Sequence, residues 1–327
     1  MPYSSVISRG DAAALIPQEV SNEIIKSVSA QNPILSLARR LPNMATNQRR
    51  MPVMNALAMA YFVAGDTGLK QTTEVNWANR FIDAEELACI VPIPQAVLDD
   101  SDYDIWAQVR PEVEIALGLA ISQALLYGIN IPASWTANLG GQPGIVAGAT
   151  AAGHVVSLAG GGFADLYDAI LAENPVGPVP GVLMTLEADG FMATGHIADV
   201  GLRGRLRGLR DANGNPIFKS GVQERTRYEL DGEPLFFPTD GSINPAASWM
   251  LSGDWSQLVY AIRQDISYTI ANQAVIQDAA NNIVYNLFQQ DMVALRVVMR
   301  LGFALPNPIN RMNQNAATRY PFAVLTA

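Results

Sequence analysis

An α+β fold is predicted by three features of the sequence. Residues 46 to about 98 are apolar and β-compatible, with stretches of period-two alternation. Residues 99 to 128 carry a single long helical period. From Phe163 onward, helix-like and strand-like segments alternate before a strand-rich stretch from Ile262 to Leu305.

The first 45 residues open on turn-rich polar sequence. Val20, Ile24, Ile25 and Val28 then recur at helical spacing, with Ser21 and Asn22 available as caps, and Pro33 and Pro42 are expected to end any helix formed there. An amphipathic helix on an arm has no core of its own, so its apolar face needs a partner surface. Segments 51–54, 58–63 and 75–83 read as one long hairpin turning at Gly65-Asp66-Thr67-Gly68. A two-stranded hairpin is marginal in water, and this one is too apolar to stand alone. A strand over 87–94 follows. Asp99, Asp100, Ser101, Asp102 and Asp104 gather acids and caps where a helix dipole favours them. Ile105, Val109, Val113, Leu117, Ile121 and Leu125 continue the helix to Gly128, with Pro111 expected to kink or restart it.

Residues 129 to about 160, rich in Gly and Ala, read as a loop or linker. Beyond them the pattern predicts a helix over 163–173, a strand over 180–184 and a helix over 187–197. Asn213-Gly214 is a hairpin turn, and strands are expected at 235–238 and 248–254. Residues 292–300 form the heart of the C-terminal strands, and Pro306, Pro308 and a polar tail close the chain.

Composition narrows the function. Of 327 residues, 49% are hydrophobic and only 16% charged, against about 25% in ordinary soluble domains. Disorder is excluded for most of the length, and the low charge implies a surface covered by other copies of the chain. A lone cysteine, Cys89, excludes disulfides and cysteine-based metal centres, and reads as an inert strand thiol. His154 and His196 read as loop and helix residues. No apolar run approaches the roughly 18 residues of a membrane span, and the first residues carry no signal-peptide pattern. A soluble, non-exported chain is expected, with no cofactor, no metal and no membrane partner. A net charge of −9 repels a phosphate backbone overall. The cations divide into 18 Arg and 3 Lys, and Arg suits bidentate pairing at interfaces.

No chemical motif completes itself. Asp66-Thr67-Gly68 has the form of an aspartic-protease loop, but that chemistry needs two carboxylates sharing a proton. No second Asp-Thr/Ser-Gly exists, and Thr239-Asp240-Gly241 has the wrong order. Only a homodimer using Asp66 could supply the pair. Gly160-Gly161-Gly162 and the glycines at 201, 204 and 208 match no phosphate-binding fingerprint and read as loops. Arg203, Arg205, Arg207 and Arg210 form one basic cluster, either a solvated loop or a set of forks pairing with acids across a subunit boundary.

The ordered set of Ile16-Pro17-Gln18-Glu19-Val20, Leu37-Ala38-Arg39-Arg40-Leu41-Pro42, Pro52-Val53, Ala60-Tyr61-Phe62-Val63, Leu98-Asp99-Asp100-Ser101 with Asp104-Ile105, and Gln290-Asp291-Met292-Val293-Ala294-Leu295-Arg296 resembles the tailed-bacteriophage major capsid proteins, which share the Hong Kong-type capsid fold. The resemblance covers nearly the whole chain. It implies an N-terminal arm over 1–45, an extended loop over 46–83 and a peripheral domain beginning at 84–149, with a spine helix at about 102–128. An axial domain over 150–258 and a return to the peripheral domain over 259–327 complete it. The apolar hairpin would then lie over a neighbouring subunit, with Tyr61, Phe62, Lys70, Trp77, Arg39, Arg40, Arg203, Arg205 and Arg207 at subunit boundaries and no catalytic residue.

Implied partners are further copies in pentamers and hexamers, portal, scaffolding and decoration proteins, and packaged double-stranded DNA without sequence-specific contact. Assembly would occur in the host bacterial cytoplasm and the product reside in the virion. An encapsulin-like compartment shell around a cargo enzyme is the alternative within the same fold. Some members precede the arm with a scaffolding segment; this chain begins almost at the arm, so a separate, absent or removed scaffold is expected. Others join a loop Lys to a neighbour's Asn with help from a buried Glu. Lys70 holds the loop position and Asn281 or Asn282 approximates the acceptor, but Gln289 or Gln290 stands where the Glu would be. An amide cannot take the lysine proton, so no autocatalytic cross-link is expected.

Overall fold

A computed structural model describes residues 33–63, 68–101, 104–171, 177, 179–211, 213–218, 228–278 and 280–327. The helix expected around 20–28 and Asp66 lie outside these residues. Helix α1 (Pro33–Leu37) opens at Pro33, where a missing N–H costs nothing. Pro33 thus starts a helix where it was expected to end one. β1 (Arg39–Arg40) follows.

β2 (Gln48–Ala56) and β3 (Asn76–Asp83) pair antiparallel from Gln48 opposite Asp83 to Ala56 opposite Asn76. Residues 58–63, expected to extend the ladder, form no strand. Side chains hold them instead. Met59 N donates to Thr73 Oγ1 (2.9 Å), the Tyr61 hydroxyl donates to Gln71 O, and Gln71 N returns a bond to that hydroxyl.

β4 (Glu85–Pro94) leads through α2 (Gln95–Asp99) to α3 (Ile105–Tyr127). Asp104 Oδ1 caps α3 at Ala107 N (3.1 Å), and Gly128 ends it at φ +71°. The helix does not restart at Pro111 but runs through it. Proline removes one donor, to Ala107 O, and both residues are exposed, where water can replace it.

Residues 129–160 are not a linker. They contain α4 (Ala133–Asn138), α5 (Ile145–Ala152) and β5 (Val155–Ser157). The alanines are helix formers and the glycines supply the corners between them. Gly144 sits at φ +101°, and a Cβ there would stand 2.7 Å from Gly128 N. α6 (Leu166–Leu171) matches its expectation. The next two assignments are exchanged: 182–188 is a helix, α7 (Val182–Ala188), and 195–198 a strand, β6 (Gly195–Ala198). Val182, Leu183 and Leu186 bury one helical face, while Gly190 at φ +80° stops the chain before β6 enters the sheet. α8 (Val200–Gly208) then makes a helix of the expected glycine and arginine loop. Leu202 and Leu206, one turn apart, bury its inner face, and Asp199 caps it at Gly201 N (2.7 Å).

β7 (Glu229–Leu230), β8 (Glu233–Phe236) and β9 (Met250–Gly253) precede the long β10 (Val259–Ala271), the hairpin β11 (Val275–Gln277) and β12 (Ile283–Asn286), the long β13 (Met292–Ala304), and β14 (Phe322–Thr326). Two sheets result. One runs β1-β10-β13-β4; the other runs β5-β14-β9-β6-β8-β7. The polar tail expected after Pro308 therefore ends in a buried strand. β14 pairs parallel with β5 and antiparallel with β9, within the sheet of residues 155–253 and apart from β10 and β13.

Val113 and Leu117 of α3 pack on Leu295 and Val297 of β13. A larger core joins the two sheets through Trp135, Phe303, Trp255 and Phe322. Trp135 meets Phe303 edge-on at 5.1 Å between ring centroids, and Trp255 meets Phe322 at 5.0 Å. His154 lies in a loop as expected, whereas His196, expected on a helix, lies on a strand. His154, in the α5–β5 junction, is buried with Nε2 3.1 Å from Asp189 Oδ2. His196 lies on β6, fully buried, with Nδ1 2.8 Å from Ser252 Oγ and Nε2 3.2 Å from Leu230 O.

Burial lowers the His196 pKa from 6.5 to about 4. Below pH 6.5 the unfolded chain takes a proton that the folded chain refuses, so stability falls as pH drops from 6.5 toward 4, by about 3 kcal/mol in total. Urea unfolding of dissociated subunits at several pH values checks this: His196→Gln should flatten that part of the curve relative to wild type.

Candidate assembly surfaces

The hairpin's buried anchorage is at its root. Ile82 is fully buried with Met44, Ala84, Val259, Ala261 and Ala304, and Gln48 Nε2 donates to Asp83 Oδ1 (2.8 Å). Arg311 Nη2 steadies the outgoing strand at Ala58 O (3.0 Å). Further out the apolar side chains have no cover. Phe62 is fully exposed, Leu69 is 90% exposed and Trp77 62%, with Met59 and Tyr61 exposed beside them. Lys70 is exposed between Leu69 and Gln71. The sequence thus places Tyr61, Phe62, Lys70 and Trp77 on one protruding element, and the structure brings all four to its surface. Several large apolar side chains exposed on one element are more than the single scattered ones of an ordinary surface.

The arginines divide. Arg39 and Arg40, on β1, are exposed, and Arg39 lines a cleft of about 310 Å³ with Pro52, Val53 and Gln257 beneath the hairpin. Arg203 and Arg205 are occupied within the chain. The Arg203 guanidinium lies 4.6 Å over the Tyr228 ring and bonds its hydroxyl; Arg205 lies 3.9 Å over Trp249. Tyr228 in turn stacks on Phe218 and meets Phe237 edge-on. Of the three, Arg207 is left exposed with its side chain free. Among the described residues the one ion pair is His154 with Asp189. Among the described residues no arginine has a carboxylate within 4 Å.

A second apolar patch escaped sequence reasoning. The β11–β12 hairpin exposes Val275, Ile283, Val284 and Tyr285, with Phe288 75% exposed beyond it. Its signal was the run Ile283-Val284-Tyr285 directly after an Asn-Asn turn. On the neighbouring β10, Tyr268 donates to Glu114 of α3, and this bond, with burial and the Glu114 charge, pushes the phenol up to about 12.

Among the described residues no three His, Cys, Asp or Glu side chains are grouped to hold a metal ion. Asp240 caps a turn, accepting from Ser242 N (2.9 Å), with Gly241 at φ +78°. Cys89 is half-buried on β4 opposite Val297. Among the described residues no helix is long and apolar enough to cross a membrane.

The chain matches the phage capsid family over residues 12–310. It belongs to that family. A curated major capsid protein of Staphylococcus phage 80alpha is 25% identical over 286 residues, covering 87% of this chain and 79% of that protein. A solved structure from Microbacterium phage Oxtober96 superposes with a TM-score of 0.80 at 32% identity, covering 98% of this chain and 99% of that one. One from Mycobacterium phage Adephagia gives 0.78 at 28%, covering 98% of each chain. The fold is the Hong Kong-type capsid fold, in which the two sheets and the long helix of this phage capsid family member take their place.

The aromatic stacking predicts which arginines serve folding. Arg203→Ala should destabilise the dissociated subunit by about 1 kcal/mol, and Arg207→Ala by less than about 0.5 kcal/mol, in urea unfolding.

Proposed function

We propose that this chain is the major capsid protein of a tailed phage, building pentamers and hexamers of an icosahedral shell around double-stranded DNA. The observation that carries this reading is the hairpin with Phe62 and Leu69 in water, in a chain that resembles phage capsid structures over almost its whole length. Burying a Phe or Leu side chain contributes roughly 1.5–3 kcal/mol relative to leaving it exposed. Each subunit makes this contact once, so the lattice repeats it at every position. In this reading β1-β10-β13-β4 with α3 forms the peripheral domain, and the six-stranded sheet, including β14, forms the axial domain around the capsomer axes.

Tyr61, Phe62, Lys70 and Trp77 face a neighbour, with Arg39, Arg40 and Arg207 offering charge at the boundaries. Portal, scaffolding and decoration proteins are the further partners, assembly takes place in the host cytoplasm, and the finished protein resides in the virion capsid. The solved relatives from phages support this reading over a compartment shell around a cargo enzyme. The subunit acts through its contacts and carries out no catalytic step.

Purified full-length protein should sediment as closed shells visible in negative stain. Deleting residues 56–74 should leave a subunit that folds and forms no stable shell. Normal shells from the deletion would overturn the role given to the hairpin.

Cross-linking is the second test. Asn282 Nδ2 is held by Asp278 Oδ2 (3.1 Å), and Gln289 and Gln290 both bond Asn286. The nearest carboxylate to that amide, Asp278, is exposed, and its hydrogen bonds from Asn282 hold its pKa below the usual range, so it is a poor proton acceptor. Denaturing gels of mature particles should show a monomer band without a ladder.

A further inference from the structure

Four guanidiniums converge on the loop 42–47 that joins β1 to β2. Arg40 Nη2 donates to Asn43 Oδ1 (3.3 Å), Arg49 Nη1 to Pro42 O (2.7 Å), Arg263 Nη1 to Ala45 O (2.7 Å) and Arg300 Nη2 to Asn47 Oδ1 (2.9 Å). Every acceptor is neutral. A guanidinium offers five N–H groups, and Arg300 Nε is buried with no partner. Arg39, exposed beside Arg40, carries the cationic rim to the cleft of about 310 Å³, where Leu41, Met51, Val53, Pro306 and Pro308 supply apolar walls.

The chain brings this patch little negative charge. Residues 38–65 contain no acid, and Asp83 is engaged by Gln48 and Asn138. Glu86 stands opposite Arg300 on β4 and Asp265 lies two residues beyond Arg263, yet neither carboxylate is within 4 Å of a guanidinium. Cations outnumber acids here, so the patch attracts an anion.

A matching piece lies at the other end of β13. Between Arg263 and Arg296 the sequence has no cation and three acids, Asp265, Asp278 and Asp291. Asp278 is spent on Ala280 N and Asn282 N within its own turn. Asp291 is exposed, and among the described residues its carboxylate has no hydrogen bond or ion pair. Close by, Phe288 is 75% exposed and Ile283 64%. An anion beside apolar side chains is the counterpart of a cationic rim beside an apolar cleft. One chain cannot join the two, because β13 pairs without interruption along β4 from Met292 to Leu301 and holds Asp291 about 30 Å from Arg300. Copies related by rotation can, each giving this end to the next. A phosphate chain would satisfy the arginines but has nothing apolar to set against Met51 and Pro306.

We propose that the Arg39–Arg40 rim, the loop 42–47 and the apolar cleft receive residues 283–291 of a neighbouring copy, with Asp291 among the guanidiniums and Phe288 in the cleft. This rests on the shell-forming function argued above. The test uses full-length protein at about 0.15 M salt, with shells counted by sedimentation and negative stain, and folding followed by urea unfolding of dissociated subunits.

Arg39→Glu with Arg40→Glu should unfold like wild type, since both side chains are exposed, and lower the shell fraction about tenfold. Asp291→Arg should lower it similarly, and all three changes in one chain should restore it to within about threefold. Asp291 sits at φ +53°, a backbone that Asn also tolerates, so Asp291→Asn should fold normally and lose shell yield several-fold through charge alone. Phe288→Ser should fold normally and lose about tenfold. Shells formed as readily as wild type by the Arg39, Arg40 variant overturn the docking alone. So does failure of the opposite charges to rescue each other. Shells of that variant that form normally but no longer retain DNA assign the patch to phosphate and also overturn the docking. A wild-type chain that forms no shell overturns the assembly reading and the docking with it.

Discussion

Trp255 and Phe303 are both fully buried, one just before β10 and the other near the end of β13, and through them the two sheets share a single core. Trp255 leans on Phe322 of the six-stranded sheet and donates its indole N–H to Gly195 O (2.9 Å); Phe303 takes Trp135 on one side and Tyr260 on the other. Close-packed aromatic contacts of this kind leave little freedom to slide. The long helix, the hairpin root and the arginine-bound loop are therefore held in fixed relation. A lattice built by repeating contacts needs that, because an angular error in one subunit is copied into every neighbour.

Against this rigid body the hairpin is a cantilever. Among its described residues Ile82 is the one fully buried, and beyond the paired portion the bonds found are those of Tyr61 with Gln71, of Met59 with Thr73 and of Arg311 with Ala58. Stability falls locally where buried apolar contacts are few. The same element is thus both the most apolar exposed part of the subunit and the part best able to adjust its angle. Those are the properties an arm laid over a neighbour requires.

Long, strongly patterned elements were legible in the sequence: β4, α3, β13 and the root of the hairpin fall where the pattern puts them, and β10 begins the stretch read only as strand-rich. The exposed Phe62 and Trp77 were legible too, since no other segment offered a core to cover them. Short elements were not. Residues 182–188 and 195–198 exchanged states because a seven-residue helix and a four-residue strand are decided by the sheet they join rather than by local pattern. Arg203 to Gly208 read as a loop from its glycines, although Leu202 and Leu206 carried the helical spacing. The α4–α5 corner was hidden by low complexity. The gathering of Arg40, Arg49, Arg263 and Arg300 on one loop could not be read at all, because they come from segments far apart in the chain, brought together only when the core forms.

The position of β14 has a consequence for the order of events at the ribosome. It fills the place between β5 and β9, both made earlier, so the six-stranded sheet holds a slot until residues 322–326 have been translated. A nascent chain stopped short of Phe322 has its β10–β13 ladder complete but lacks the strand that seals the other half. Without that strand the facing backbone edges of β5 and β9 would be left without their ladder partner.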